Sequence, residues 1–293
     1  MDFQRLIFIV RDFSQRLKHA RDFKAVHISL LSLVTYSLKQ LALNAYYSSV
    51  VQVHDSEYDE LYCVSVGNEI EIYFPKRSFS RHLLFMLLRE ALDSKHWHQY
   101  VTPWTPLAQD DVVLDCGSAE GLWAYINVNK VRKVYLVEPQ PIFCKALRHT
   151  FEGFLKASKV EILNVALGSS DGYVSMSDSG KISAVTRAKG SSCVNVELRR
   201  IDDLPFADEI TFIKMDVEGC ELDVLKSAHS TIRIKTPKIA VATYHDTGDW
   251  QAIRDLVLDM NPAYCWRLKG INRNGKPMMI HFYRQISSDL TVR

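Results

Sequence analysis

Apolar residues near the start of the chain recur at steps of three and four, as in Ile28, Leu31, Thr35, Leu38 and Ala42, and no proline or glycine interrupts residues 2–53. This spacing predicts two helices, the second turning that stripe towards a core. From Leu61 to Phe74 the residues are β-rich on both sides of Gly67-Asn68, a pair suited to positive φ in a tight turn, and a hairpin is expected. Helical spacing returns from Arg81 to Trp97 through Leu84, Leu87, Leu88, Ala91 and Leu92, until Pro103 and Pro106 break the chain. The break separates an N-terminal helical and hairpin region, 1–107, from a second domain, 108–293.

In that second domain short apolar runs alternate with helical stretches. The expected strands are Val112 to Asp115, Lys133 to Glu138, Val160 to Val165, Ile210 to Met215 and Lys238 to Thr243. Helices are expected over Leu122 to Lys130, Pro141 to Phe154, Glu221 to Ser227 and Asp249 to Asp259. Strands this apolar, each followed by a helix, imply an α/β fold with a doubly wound parallel sheet buried on both faces. Between Gly172 and Arg200, β-like Tyr173 to Met176 and Cys193 to Leu198 flank a Ser-, Lys- and Gly-rich stretch, which reads as a hairpin or a mobile loop.

Composition narrows the classes. With 47% hydrophobic and 24% charged residues among 293, the chain has material for a sizeable core and is not disordered. Its 36 basic and 34 acidic side chains nearly cancel, on either side of residue 107 as well, so no field favours nucleic acid. The stretch from Ile28 to Leu38 is too short and too polar for a membrane span, and residues 1–21 have no clean signal-peptide pattern. The six cysteines form no C-x-x-C pair. A reducing, cytoplasmic setting is expected from this usage.

The candidate chemistry begins at Val112-Val113-Leu114-Asp115-Cys116-Gly117-Ser118-Ala119-Glu120-Gly121, a buried strand entering a turn with two glycines. Small residues there let a ligand approach the backbone, although a plain strand-to-helix turn needs them too. A second marker is Glu138, which closes the next strand where a doubly wound fold binds ribose hydroxyls. NAD and FAD are disfavoured, because the G-x-G-x-x-G spacing that seats a pyrophosphate is missing: Ala119 and Leu122 stand in its later slots.

The D-x-G-x-x-x-G loop with an acidic end to strand two resembles class I methyltransferases that use S-adenosylmethionine. Further on, Asn164-Val165-Ala166-Leu167-Gly168, Arg200-Ile201-Asp202-Asp203-Leu204 and the run from Ile210 to Leu225, with its I-K-M-D-V-E-G-C-E core, resemble the FkbM family of methyltransferases. The likeness covers about Asp110 to Asp246, and Cys116, Ser118 and Glu120 depart from smaller or amide residues in many relatives. It implies a Rossmann-like sheet, S-adenosyl-L-methionine as methyl donor, and an oxygen acceptor on a sugar, glycan, polyketide or other small molecule. It also implies that Asp115, Gly117 and Gly121 line the methionine end of the cofactor, that Glu138 holds the ribose, and that Asn164 and Ala166 lie at the adenine edge. The structural alternatives are a capping Asp115 and a turn-forming Asn164.

Lys214, Asp216, Glu218 and Glu221 crowd the end of strand four, and Tyr244 and His245 that of strand five. Asp216 and Glu218 read as carboxylates aimed at the acceptor, with helix-dipole complementarity as the alternative for Glu218. A divalent metal site is the less favoured alternative for these carboxylates, because a hard-cation site needs several converging oxygens and sequence spacing cannot show convergence. His245 is the expected general base, since an imidazole titrates near neutral pH and a carboxylate is a weak base there. The alternative is a histidine satisfied by a loop carbonyl. His96 and His98 read as surface or packing residues, and Trp97, Trp104 and Trp123 as core or pocket wall. A competing reading from another class is a non-catalytic binding or assembly module whose N-terminal region contacts a partner or a second copy, a homo-oligomer.

Overall fold

A computed structural model of the chain describes residues 14–18, 30–177, 193–245 and 249–285. Beyond a helical turn at residues 14–18, helix α1 (Leu30–Val50) passes directly into strand β1 (Val51–Asp55). The helical segment ends earlier than its spacing predicts, because Val51 and Val53 pair with Val66 and Val64 instead of continuing the helix. Strands β2 (Leu61–Val66) and β3 (Ile70–Pro75) form the expected hairpin, with Gly67 at φ +58°, and β1 completes a three-stranded antiparallel sheet. Helix α2 (Arg81–Leu92) starts at Ser80, whose hydroxyl accepts from the Leu83 N–H, and stops at Asp93, well before Trp97.

The face of α1 is not the one its periodicity indicates. Leu31 and Leu38 are 72% and 60% exposed, Thr35 and Ala42 are also exposed, and Leu33, Ser37 and Tyr47 are buried; Ile28 lies outside the described residues. Apolar side chains occur on two sides of this helix, so spacing alone does not choose between them. Ser37 is tolerated inside because its hydroxyl donates to the Leu33 carbonyl at 3.0 Å. The N-terminal elements bury Tyr47, Val64, Ile72, Phe74, Leu84 and Leu88 together with Leu122 of helix α3 (Leu122–Asn127). The Tyr73 N–H also donates to the Thr150 hydroxyl, tying β3 to the end of α4 (Pro141–Thr150).

The large sheet has seven strands. Strands β4 (Val112–Cys116), β5 (Lys133–Val137) and β6 (Val160–Leu163) run parallel from its centre to one edge. A short β7 (Ala166–Leu167) joins β8 (Gly172–Ser177) and β9 (Cys193–Arg199) in a separate small sheet. The hairpin reading holds for β8 and β9, while residues 178–192 between them lie outside the described residues. On the other side of β4 follow β10 (Phe212–Met215) and β11 (Lys238–Ala242), also parallel. Strands β12 (Tyr264–Ile271) and β13 (Pro277–Arg284) then add antiparallel, giving the order β6-β5-β4-β10-β11-β13-β12.

The sheet is therefore the Rossmann-like, doubly wound type expected, except that it is not wholly parallel. The last two strands follow the final helix without the strand-helix alternation that marks the others, and Arg267 and Lys269 interrupt β12 with charge. Both faces of the centre are buried: Leu114 and Met215 belong to one apolar cluster, Val113 and Phe212 to the other. Helices α4, α5 (Glu152–Lys156), α6 (Glu221–Lys226) and α7 (Trp250–Met260) complete the layers. No helix of the described residues is long and apolar enough to cross a membrane. Because the chain leaves β4 towards β5 and returns on its other side as β10, a crevice opens at the carboxyl ends of these two strands.

Candidate active site

The crevice holds a cavity of about 630 Å³, enclosed by the loop after β4, the ends of β5 and β10, Ala166 of β7 and the N-terminal helix α2. Gly117 opens the loop at φ +76°, and a Cβ there would lie 2.0 Å from the Asp216 carbonyl oxygen, so only glycine allows the two strand ends to approach. Gly121, at φ +77°, does something else. Its missing Cβ would strike Leu147 at 2.5 Å and Phe151 at 2.8 Å, so it serves the packing of α3 on α4 and does not line the cavity.

Glu138 stands where the second strand ends and is buried against the loop. One carboxylate oxygen accepts from the Ala119 N–H at 2.9 Å and the other from the Gln140 N–H at 2.8 Å. Burial pushes its pKa up to about 7 against the pull of those two amides. A carboxylate offers about four acceptor positions, so capacity for two further donors remains. Asn164 lies behind this residue: its amide donates to the carbonyls of Glu138 and Pro139, at 2.9 and 3.0 Å, and holds the turn without lining the cavity. Ala166 does line it. Glu120, one of the departures from the family pattern, is also buried on the cavity wall, and burial lifts its pKa to about 7.

Asp115 is nearly inaccessible and is not at the cavity surface. It pairs at 2.7 Å with Lys214, its register partner on β10, and Lys214 also donates to the Gly117 carbonyl at 2.9 Å. Burial works against the Lys214 charge, but Asp115 and Asp216 raise its pKa, so the ammonium persists. This buried pair locks the strand end beneath the loop, which is the capping alternative in a stronger form.

Asp216 and Glu218 line the cavity at the end of β10. His245 sits beside them. Its Nδ1 is 2.9 Å from Glu221 Oε1, and its Nε2 is 3.4 Å from both Asp216 Oδ1 and Glu218 Oε2. Burial alone would lower the pKa of this imidazole, yet Glu218, Glu221 and Asp216 raise it to about 10. The expected general base is thus already protonated at neutral pH. The position of His245 in the sequence does not reveal the three carboxylates that the fold places around it.

The other oxygen of Asp216 faces a network that no sequence spacing signals. Tyr100 donates to Asp216 Oδ2 at 2.6 Å, His98 Nε2 is 3.0 Å from the same hydroxyl, and His98 Nδ1 is 3.1 Å from Glu90 Oε2. The single phenolic proton is engaged with Asp216, so Nε2 donates to Tyr100, and Nδ1 meets an acceptor-only carboxylate. Both imidazole nitrogens then carry protons, in agreement with a pKa that Glu90 and Asp216 raise against burial. His98 is therefore a buried cavity residue and not a surface one. His96 is also buried, with its Nε2 2.7 Å from the Tyr36 hydroxyl, and it packs away from the cavity. Trp123 is on the cavity wall, and Trp97 stacks on Tyr36 at 4.2 Å.

The model of the methyltransferase FkbM domain matches residues 115–264 of this chain. Among solved structures, the chain is similar to the methyltransferase FkbM of Methylobacillus flagellatus, with 23% identity and a TM-score of 0.49 over 71% of this chain and 55% of that one. The matched part thus spans only about half of that relative. It is also similar to precorrin-6y C5,15-methyltransferase of Geobacter metallireducens, with 11% identity over 72% and 93% of the two chains and a TM-score of 0.40. A third is Aeropyrum pernix fibrillarin, solved with natively bound S-adenosyl-L-methionine, with 11% identity over 80% and 98% of the chains and a TM-score of 0.36. No curated protein matches the chain in sequence.

Proposed function

We propose that this chain, which belongs to the FkbM family of methyltransferases, moves the methyl group of S-adenosylmethionine onto a hydroxyl oxygen of a small molecule or glycan held in the cavity beneath α2. The observation that carries the cofactor reading is Glu138. Its buried carboxylate keeps two acceptor positions free at the end of the second strand, which suits the paired hydroxyls of a ribose. Asp216 on the same wall adds negative charge that suits the sulfonium of S-adenosylmethionine, which S-adenosylhomocysteine lacks.

The bound cofactor supplies an electrophilic methyl carbon: transfer forms a C–O bond, breaks a C–S bond and leaves a neutral thioether. The protein's part is mainly alignment of an in-line displacement. Asp216 is suited to orient the acceptor, because Oδ1 is buried without a hydrogen-bond partner while Tyr100 fixes Oδ2. The hydroxyl proton passes to this carboxylate as the C–O bond forms. Leu83, Met86 and Leu87 of α2 make the opposite wall apolar and favour an acceptor with one apolar face.

Calorimetry with S-adenosylhomocysteine and NAD in parallel tests the cofactor, and a labelled-methyl transfer screen over sugars, polyols and hydroxylated polyketides tests the acceptor. Binding of NAD with none of S-adenosylhomocysteine overturns the reading. Binding of S-adenosylhomocysteine with transfer only to nitrogen overturns the oxygen acceptor and leaves the cofactor standing.

A further inference from the structure

We propose that Asp216, Glu218 and His245 form a three-ligand site for a divalent transition-metal ion of the Mn²⁺ or Zn²⁺ kind, at the edge of the cavity. One ligand atom from each lies within 4.8 Å of the others. His245 Nε2 is 3.4 Å from both carboxylate oxygens. Ligands bound at about 2.1 Å lie about 3.0 Å apart at octahedral angles and about 3.4 Å apart at tetrahedral ones, so the two contacts of His245 already have the spacing of a coordination shell.

Two buried atoms point inward without hydrogen-bond partners, His245 Nε2 and Asp216 Oδ1. The His245 side chain is 10% exposed and its Nε2 faces the two carboxylate oxygens at 3.4 Å, so an ion there would take the place of the Nε2 proton and release it on binding. Glu221, 1% exposed, holds Nδ1 at 2.9 Å and accepts the Gly219 N–H at 3.1 Å through the same oxygen. A carboxylate on the far nitrogen is the arrangement that orients a metal-binding imidazole and raises its donor strength. Tyr100 occupies Asp216 Oδ2 and so leaves Oδ1 as the oxygen free to bind an ion.

Two hard oxygens with one borderline nitrogen favour Mn²⁺, Fe²⁺ or Zn²⁺ over Mg²⁺ and Ca²⁺. Asp216 and Glu218 both line the cavity, so the remaining coordination positions open towards the acceptor. This last role rests on the methyl-transfer reading, although the site itself does not. An ion there would take the acceptor hydroxyl as a further ligand and lower its pKa, so that Asp216 Oδ1 orients the acceptor through the ion and the proton leaves to water instead of passing to this carboxylate.

The test is titration of the chelator-treated full chain with Mn²⁺, followed by electron paramagnetic resonance, and with Zn²⁺ and Mg²⁺ by calorimetry. One equivalent of Mn²⁺ and of Zn²⁺ is expected, with Mg²⁺ at least tenfold weaker. His245→Ala and Glu218→Gln should each weaken Mn²⁺ at least tenfold, and Glu221→Gln by 10- to 100-fold through the imidazole it orients. Glu218 is partly exposed, so its variant keeps the test valid should His245→Ala unfold, as circular dichroism will report. Absence of a saturable Mn²⁺ site, or Mn²⁺ affinity unchanged in folded Glu218→Gln, overturns the proposal. Binding of S-adenosylhomocysteine, measured on the same samples, fails only if the cofactor reading is wrong.

Discussion

Asp216 separates two arrangements built from the same residue types. Towards α2, its Oδ2 meets Tyr100, His98 and Glu90 in a chain where the contacts of 2.6, 3.0 and 3.1 Å each find a donor and an acceptor. Towards β11, its Oδ1 and Glu218 Oε2 each lie 3.4 Å from His245 Nε2, an ionic contact in which neither Oδ1 nor Nε2 makes a well-aligned hydrogen bond. A saturated buried network rigidifies, and an unsaturated one is held open for something else. The comparison assigns positioning to the N-terminal arm and ligand capture to the sheet arm, although histidine and carboxylate occur in both.

Asp216→Asn strikes both arms at once. We expect methyl transfer to the acceptor found by the screen to fall by about 100-fold or more, with S-adenosylhomocysteine affinity changed less than about threefold. Steady-state rates and calorimetry on one preparation check this, and a rate within about threefold of the parent would dissolve the distinction between the arms. Glu138→Ala lies outside both and serves as the contrast. It should weaken S-adenosylhomocysteine at least tenfold, about 1.4 kcal/mol, while the metal affinity stays put.

Tyr100→Phe breaks only the N-terminal arm. It removes the donor to Oδ2 and the acceptor for His98, which should cost about 1–3 kcal/mol of stability in denaturant unfolding. The transfer rate should fall about tenfold with cofactor affinity unchanged. If Tyr100→Phe instead slows transfer as much as Asp216→Asn, the N-terminal arm is itself catalytic.

The smallest effect is in pH. Burial raises the Glu138 pKa to about 7, above its value in an unfolded chain. Its contribution to the stability of the ligand-free protein is therefore full below the unfolded pKa and is lost as pH rises through about 7. Ribose hydroxyls need the ionised form as acceptor, so S-adenosylhomocysteine affinity should rise severalfold from about pH 6 to about pH 8. Glu138→Gln should flatten that profile, and a slope unchanged in the variant assigns the titration elsewhere, with Glu120 the first candidate.

Several elements are legible in the chain because local chemistry dictates them. Apolar runs such as Val112-Val113-Leu114 can only be interior strands, Gly117 marks a backbone that bends where a side chain would collide, and Glu138 closes the second strand. By contrast, β12 carries charges that disguise it, and the apolar residues of α1 fall on two faces, so which face is buried depends on neighbours distant in sequence. Asn164 and Gly121 stand out in the sequence, but one clamps the Glu138 turn and the other admits Leu147 and Phe151.

Residue identity and strand-helix alternation suffice for the sheet, the loop after β4 and the family, since these depend on contacts within a few residues or on periodicity along one element. Protonation and convergence do not work that way. His245 at the end of a strand is an ordinary imidazole until Glu221 from α6 and Asp216 and Glu218 after β10 surround it, and His98 is a surface-like histidine until α2 brings Glu90 against it. A pKa and a ligand set depend on distances of 3 to 4 Å between residues far apart in the chain. Only the packing of α2 and the register of β10 against its neighbours decided them.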